Sequence, residues 1–140
     1  MLVEAVVVTR LAAVEAVCAR WKTPAEYRVM ALHACREHLN VHRLEQLRPE
    51  TVHALLQRLD AFRRPERVAA LAMLCEADKR GRLGMSDSAY PNAALLLRCH
   101  RAAAAVTGRD VEPGLQGPAV GEALRRKRIT AIASAARGSG

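Results

Sequence analysis

Aromatic residues are scarce in this sequence, since Trp21, Tyr27, Phe62 and Tyr90 make up only 3% of it. So few rings leave little surface on which unpaired bases stack, which counts against sequence-specific reading of single-stranded nucleic acid. No hydrophobic run is long enough to cross a membrane, and no basic segment precedes the apolar residues near the N-terminus, as it would in a signal peptide. These absences predict a protein that has no membrane partner.

Paired cysteine motifs are also missing. Cys18, Cys35, Cys75 and Cys99 contain no Cys-x-x-Cys, and each lies in an apolar, helix-like setting. This spacing argues against a zinc or redox motif and favours buried thiols in a reducing compartment. The predicted location is the cytoplasm.

The alternating pattern of a β-strand is absent, and alanine and leucine dominate the apolar half of the chain. Both observations favour helix. The 140 residues suffice for one unit that buries roughly 68% of its unfolded surface. We therefore predict an all-α fold, an irregular bundle of about six helices without a sheet, in which residues 1–140 form a single helical unit.

Helix-start signals divide the chain. Thr23-Pro24-Ala25-Glu26 reads as a capping box with proline at the first helical position, and Pro49, Pro65, Pro91 and Pro118 each suit a first helical turn. The predicted helices cover residues 4–20, 24–40, 48–59, 65–80, 91–106 and the region from 118 onward.

The helix from Pro65 is the one around which the rest is arranged. Gly81 suits the left-handed residue that follows a helix end. Its predicted apolar face consists of Val68, Leu71, Ala72 and Cys75. The other predicted inward residues are Val7, Leu11, Val14 and Cys18; Tyr27, Met30, Ala31 and Ala34; Val52, Leu55, Leu56 and Leu59; Leu95, Cys99 and Val106; and Val120, Ala123, Leu124, Ile129 and Ile132.

Positive charge is the strongest chemical signal, because the formal net charge is +8 and the pI is about 10.2. Such a chain is expected to bind a polyanion, nucleic acid before membrane. An arginine-rich, aromatic-poor helical surface suits phosphates and duplex shape. The alternative is a solvated basic face without a partner. The candidate phosphate-binding residues are Arg63, Arg64, Arg67, Lys79, Arg80, Arg82, Arg125, Arg126, Lys127 and Arg128.

Three other patterns carry weaker signals. His38 and His42 have the i, i+4 spacing of a helical metal pair, but no third ligand is evident, so a structural or surface pair is favoured. Glu76 and Asp78 diverge on a helix and are expected to pair with Arg80 and Arg82 rather than form an acid–base site. The glycine-rich segment 114–121 lacks the Gly-Lys-Ser/Thr ending of a P-loop and is read as a linker.

Several motifs resemble the C-terminal half of bacterial multifunctional CCA-adding enzymes, the tRNA nucleotidyltransferases that carry an HD-type phosphohydrolase region. They occur in the family's order over nearly the whole chain from Leu11. The motifs are Thr23-Pro-Ala-Glu-Tyr-Arg, Glu37-His-Leu-Asn-Val-His-Arg, Asp60-Ala-Phe-Arg-Arg-Pro-Glu-Arg, Glu76-Ala-Asp-Lys-Arg-Gly-Arg-Leu-Gly and Gly121-Glu-Ala-Leu-Arg-Arg-Lys-Arg-Ile.

This resemblance implies that catalysis and tRNA binding lie in different parts of the protein. In the family, an N-terminal head holds the catalytic carboxylates, Mg²⁺ and the incoming CTP or ATP, while the helical C-terminal part holds tRNA. Residues 1–45 resemble the end of the HD region, and residues 46–140 resemble the tRNA-binding body and tail. The sequence contains neither the head nor the HD signature. We therefore expect a truncated or split C-terminal portion that has no catalytic residues and no cofactor of its own and is inactive alone, with tRNA and a missing head as partners.

Two alternatives stay open. One is a residual HD-type phosphohydrolase that uses His38 and His42. The other is a helical interaction module that docks on a separately encoded head.

Overall fold

The structure of the protein is a computed structural model that describes residues 2–138, with side chains from Glu4 onward. Met1, Ser139 and Gly140, which belong to the predicted 1–140 unit, lie outside the described residues. Six α-helices follow one another along the chain: α1 Leu2–Arg20, α2 Ala25–His42, α3 Pro49–Arg58, α4 Glu66–Arg80, α5 Pro91–Ala104 and α6 Pro118–Arg137. Short 3₁₀ turns occupy Leu44–Gln46 and Gly108–Asp110.

The predicted all-α class is confirmed, and residues 2–138 contain no strand. Proline stands at the start of α3, α5 and α6, as its missing N–H allows. Gly114 and Gly117 adopt positive φ values of 94° and 58° in the link that leads into α6. The left-handed region favours glycine because a side chain would be strained there, so these two positions shape the link.

Details of four helix ends differ from the prediction. Pro24 caps α2 rather than opening it, because its carbonyl accepts the first helical hydrogen bond, from Arg28 N–H at 3.1 Å. No side chain caps that end, so the capping box of Thr23 does not form. Helix α2 also continues past Asn40 to His42. The Asn40 amide donates to Glu37 Oε2 at 3.0 Å, a bond that is compatible with helical backbone.

The end of α4 also differs, since Gly81 is right-handed with φ of −71°. Its N–H donates to Ala77 O at 2.9 Å and so continues the helical hydrogen bonding. The left-handed residue in this region is Gly84, whose φ is 77°. Helix α5 ends at Ala104, so Val106 falls in the following turn and not in the helix.

The core lies between α3, α4, α5 and α6, and the end of α2 closes it. The predicted face of α4 is confirmed, because Val68, Leu71, Ala72 and Cys75 are all buried. The stripe of α3 is buried in the same cluster, which consists of Val41, Leu44, Val52, Leu55, Leu56, Leu59, Ala61, Val68, Leu71, Ala72, Cys75, Leu95, Leu96, Cys99, Ala103 and Ile132. Each fully buried leucine or isoleucine contributes about 1.5–3 kcal/mol.

Helix α2 turns the predicted face to the core only in part. Tyr27 is 72% exposed, whereas Met30 and Ala34 pack against the core and Glu37 and Val41 are fully buried. The real stripe therefore begins one turn later than the predicted one and passes through a glutamate. A charged residue at a core position masks the apolar pattern on which the prediction relied.

That glutamate joins α2 to α3. Glu37 has no exposed surface, and its two carboxylate oxygens accept from Arg58 Nε at 2.6 Å and Nη2 at 3.1 Å. Asn40 supplies a further donor. A buried carboxylate is tolerated only when it is paired and hydrogen-bonded. The pair therefore fixes how α2 lies against α3.

Loss of Arg58 should leave the Glu37 carboxylate buried without its main partner. We expect Arg58→Ala to lower the free energy of unfolding by about 3 kcal/mol, the low end of the range for a broken buried pair, because Arg58 itself is 40% exposed. Urea unfolding followed by circular dichroism measures this change. Arg36→Ala, which removes an exposed arginine beside Glu37, should stay within about 0.5 kcal/mol of the parent. Equal losses in the two variants would contradict the role given to the pair.

Candidate nucleic-acid interface

The basic residues just before α4 and in its first turn have different surroundings. Arg63 is exposed, and its Nε donates to Asp60 Oδ2 at 3.1 Å. The Arg64 guanidinium lies 4.0 Å from the carboxylate of Glu66. Arg67 is half-buried and donates to Leu59 O at 3.2 Å, so it supports the turn rather than facing solvent.

The basic residues of α6 likewise include exposed side chains and one that is directed inward. Arg125 and Arg126 are exposed and share one carboxylate, that of Glu122, at 3.5 Å and 3.2 Å. Lys127 is exposed and has no ion pair or hydrogen bond among residues 2–138. Arg128 alone turns inward.

Arg128 connects α6 to the turn before α4. Its guanidinium carbon lies 4.1 Å from the ring centroid of Phe62, and its Nη2 donates to Val106 O at 3.3 Å. Burial lowers the pKa of Arg128 from its ordinary value, although an arginine so placed stays charged. The contact brings two basic segments together around one ring. We call the exposed basic residues of the two segments that this contact joins the Phe62 patch, which consists of Arg63, Arg64, Arg125, Arg126 and Lys127.

The bases at the other end of α4 form a second group. Arg80 pairs with Glu76 at 2.9 Å and also donates to Ser88 O at 3.2 Å. Arg82 lies 3.7 Å from Asp78. Both predicted i, i+4 pairs are therefore present. We call Lys79, Arg80 and Arg82 the α4-end patch.

The predicted basic residues fall into two groups, one in the segments that the Arg128–Phe62 contact joins and one at the end of α4. Glu66–Arg80 spans 15 residues, so the two patches lie about 20 Å apart along α4. The exposed ion pairs within them are each worth about 0–1 kcal/mol. A phosphate can therefore replace these carboxylates at small cost, whereas Arg67 and Arg128 are held by internal contacts.

The predicted histidine pair has internal partners. The ring nitrogens of His42 lie 2.7 Å from Tyr90 Oη and 2.8 Å from Asp78 Oδ2, so neither is left for a metal. The His38 Nδ1 bonds to backbone carbonyls of its own helix. The hydrogen bond from His42 is the main cause that lowers the pKa of Asp78, and the charge of Arg82 acts in the same direction. Within residues 2–138, no group of histidine, cysteine and acidic side chains is arranged to hold a metal ion.

Sequence reasoning missed the hydrogen bonds that surround this pair. Asp78 and Tyr90 lie 36 and 48 positions from His42. The buried Asn92 amide donates to Val41 O, to His42 O and to Glu45 Oε2 at 2.7 Å, which satisfies the end of α2. No local pattern signals contacts of this range, because they depend on how the helices pack.

Comparison with known proteins gives one consistent result. A multifunctional CCA protein of Xanthomonas oryzae pv. oryzae is 60% identical over 126 residues, which is 89% of this chain and 31% of the relative. The multifunctional CCA protein of Stenotrophomonas maltophilia (strain K279a) is 57% identical over 122 residues, covering 86% of this chain and 30% of the relative. That of Xylella fastidiosa (strain M12) is 57% identical over 117 residues, covering 83% and 28%.

The chain thus spans about a third of the length of these relatives, and the match falls in their C-terminal portion. No protein-family model and no solved structure matches the chain. Among the described residues, no helix has the length and apolarity that a membrane span requires.

The surroundings of His53, next to Phe62, predict how the stability of the fold depends on pH. His53 is buried beside Phe62, and burial, together with the charges of Arg125 and Arg128, lowers its pKa. The unfolded chain then takes up this proton at higher pH than the folded chain, so stability falls as pH drops below about 6.5. His33, whose pKa burial also lowers, acts in the same direction.

We expect His53→Leu to reduce, without abolishing, the loss of unfolding free energy between neutral and mildly acid pH. NMR titration of the parent should show the His53 ring protonating below its ordinary pKa. Titration at or above that value, with an unchanged pH slope in the variant, would contradict this account.

Proposed function

The chain matches a C-terminal portion of the multifunctional CCA proteins, and we propose that it holds tRNA while another polypeptide segment adds the CCA end. The observation that carries the proposal is the Arg128–Phe62 contact, which joins the two basic segments of the Phe62 patch although they are distant in sequence. The α4-end patch supplies a second set of contacts about 20 Å away along the helix. Two such patches suit the phosphates of a folded RNA rather than a short anion.

Recognition in this proposal is by charge and shape. Arginines make bidentate contacts with phosphates, and each phosphate contact releases counterions. The carboxylates of Glu122, Asp60 and Glu76 hold the arginines in place before binding and give way to phosphates afterwards. Few exposed rings accompany these bases, so the bound RNA is held by its backbone.

The synthesis of the CCA end is assigned to another polypeptide segment. In this proposal Mg²⁺ and CTP or ATP bind in the part of a multifunctional CCA protein that this chain does not match. The chain alone is then inactive in CCA addition, and its place is where tRNA is processed, in the cytoplasm. No contact supports residual HD-type phosphohydrolase activity, because both ring nitrogens of His42 have partners.

Salt dependence tests the proposal. We expect the isolated chain to bind tRNA with an affinity that falls steeply as salt rises. A triple variant with Arg125→Gln, Arg126→Gln and Lys127→Gln should bind more weakly, with a slope of log affinity against log salt that is shallower by about 2–3. Fluorescence anisotropy of labelled tRNA over a salt series measures both quantities.

The matched control removes the same amount of charge from exposed sites outside both patches, with Arg10→Gln, Arg20→Gln and Lys22→Gln. Its slope should stay close to that of the parent. Equal reductions in both triple variants would show diffuse attraction to a basic protein instead of contacts at the patch. Binding that ignores salt would rule out the phosphate model.

A second candidate function, docking on the rest of a CCA protein, is favoured by α1. Among the described residues, α2 is the only helix against which α1 packs extensively. Apolar residues nevertheless surround α1, and Val6, Val8 and Val17 are 46–65% exposed. A helix that is apolar on all sides is normally buried. The relatives contain additional polypeptide, since the chain spans 31% of one of them, and we propose that this polypeptide covers α1.

We expect the chain to co-purify with a co-expressed polypeptide that corresponds to the unmatched part of a multifunctional CCA protein. Val6→Asp with Val17→Asp should abolish the complex, because a carboxylate would be buried unpaired. Leu83→Asp, which changes a fully exposed loop residue, serves as the control. Circular dichroism should confirm that both variants keep their helices. A complex unaffected by the two α1 changes would rule out this surface.

A further inference from the structure

A cavity of about 640 Å³ opens between the end of α2, the start of α3, and helices α5 and α6. Its walls are mainly apolar and include Val52, Leu95 and Ile132. Its volume falls within the range of about 300–1,000 Å³ found for small-molecule sites. None of the contacts described above fills it.

One cation in this lining has no partner. Lys79 is half-buried, lines the cavity, and makes no ion pair or hydrogen bond within residues 2–138. The neighbouring bases Arg80 and Arg82 do have carboxylate partners. A partly desolvated ammonium group without a counter-charge favours an anionic ligand, and phosphate is a ligand that lysine commonly binds.

The aromatic part of the lining is already ordered. Tyr90 Oη lies 2.7 Å from His42 Nδ1, and His42 Nε2 lies 2.8 Å from Asp78 Oδ2. When Nε2–H of a neutral His42 donates to the Asp78 carboxylate, Nδ1 accepts a hydrogen bond from the Tyr90 hydroxyl. Burial raises the pKa of Tyr90, so the hydroxyl keeps its proton. The Tyr90 ring is thus held at the cavity by hydrogen bonds that join α2, α4 and the residue before α5.

We propose that this cavity takes one nucleotide, with its base against Tyr90 and the apolar walls and its phosphate on Lys79. The combination of an apolar space, an ordered ring and one unpaired ammonium group matches a base that carries a phosphate. Arg80 and Arg82 lie beside Lys79 on the same helix end and suit the flanking phosphates of a strand. Glu45, the carboxylate in the lining, already accepts from Asn92 at 2.7 Å.

The nucleotide can be part of an RNA or free in solution. We assign it to an unstacked nucleotide of the bound RNA, because single-stranded positions are where RNA bases become available to aromatic side chains. This assignment rests on the proposed function. The binding of a nucleotide as such rests on the cavity alone.

NMR titration of the ¹⁵N-labelled full chain with AMP, CMP and inorganic phosphate tests the cavity. AMP or CMP should shift the amide signals of its lining residues in a saturable way. Lys79→Gln should weaken that binding by about tenfold, since a charged hydrogen bond is lost. Ala136→Phe, at an exposed lining position, should abolish it. Lys22→Gln and Ala104→Phe are the matched controls at exposed sites outside the lining, and both should bind as the parent does.

Two results would overturn the nucleotide site: no saturable shifts at millimolar nucleotide, or inorganic phosphate binding as tightly as AMP. A separate measurement of tRNA binding tests whether the nucleotide belongs to the bound RNA. Ala136→Phe should weaken tRNA binding and make its salt slope shallower by at most about 1, because only the phosphate contact of Lys79 is lost while those at the Phe62 patch remain. Unchanged tRNA affinity in this variant would overturn the assignment to RNA. Loss of all tRNA binding in the parent chain, by contrast, would overturn the proposed function, and the AMP titration would still decide the cavity.

Discussion

The stacking of Arg128 on Phe62 is the contact on which the arrangement of the basic surface depends. It places a guanidinium 4.1 Å from a ring centroid in the turn before α4 and thereby ties α6 to that turn. An alanine-rich helix such as α6 has few large side chains with which to fix its own position. A cation held between a ring and the Val106 carbonyl supplies that specificity. The charge of Arg128 therefore fixes how α6 packs, and this packing sets the positions of the exposed basic residues next to Arg128.

Polar residues play a similar part elsewhere in the core. Glu37 joins α2 to α3 through Arg58, and Asn92 joins the start of α5 to the end of α2. Small alanine and leucine side chains allow helices to slide past one another with little change in buried area. Directional bonds to buried groups remove that freedom, because an unsatisfied partner would be costly. The helices are therefore held in one register by a small number of polar side chains.

Periodicity predicted the helices and most of their buried faces, including all of the apolar face of α4. It failed where a polar residue occupies a core position, as Glu37 does, and where a helix end is set by the backbone, as at Pro24 and Gly81. The basic residues were also found from the sequence, but the contact that joins α6 to the turn before α4 was not. That contact is made by Phe62 and Arg128, and it follows from packing rather than from any local pattern.

In the proposed function, two basic patches on one helical unit hold the backbone of tRNA. Hydrogen exchange of the chain, with and without tRNA at low salt, is the most direct measurement of this binding. Slower exchange is expected at residues 60–67, 79–82 and 122–128, and no change over residues 4–20. Protection confined to residues 4–20, or none at any of these segments when tRNA is in excess, would contradict it.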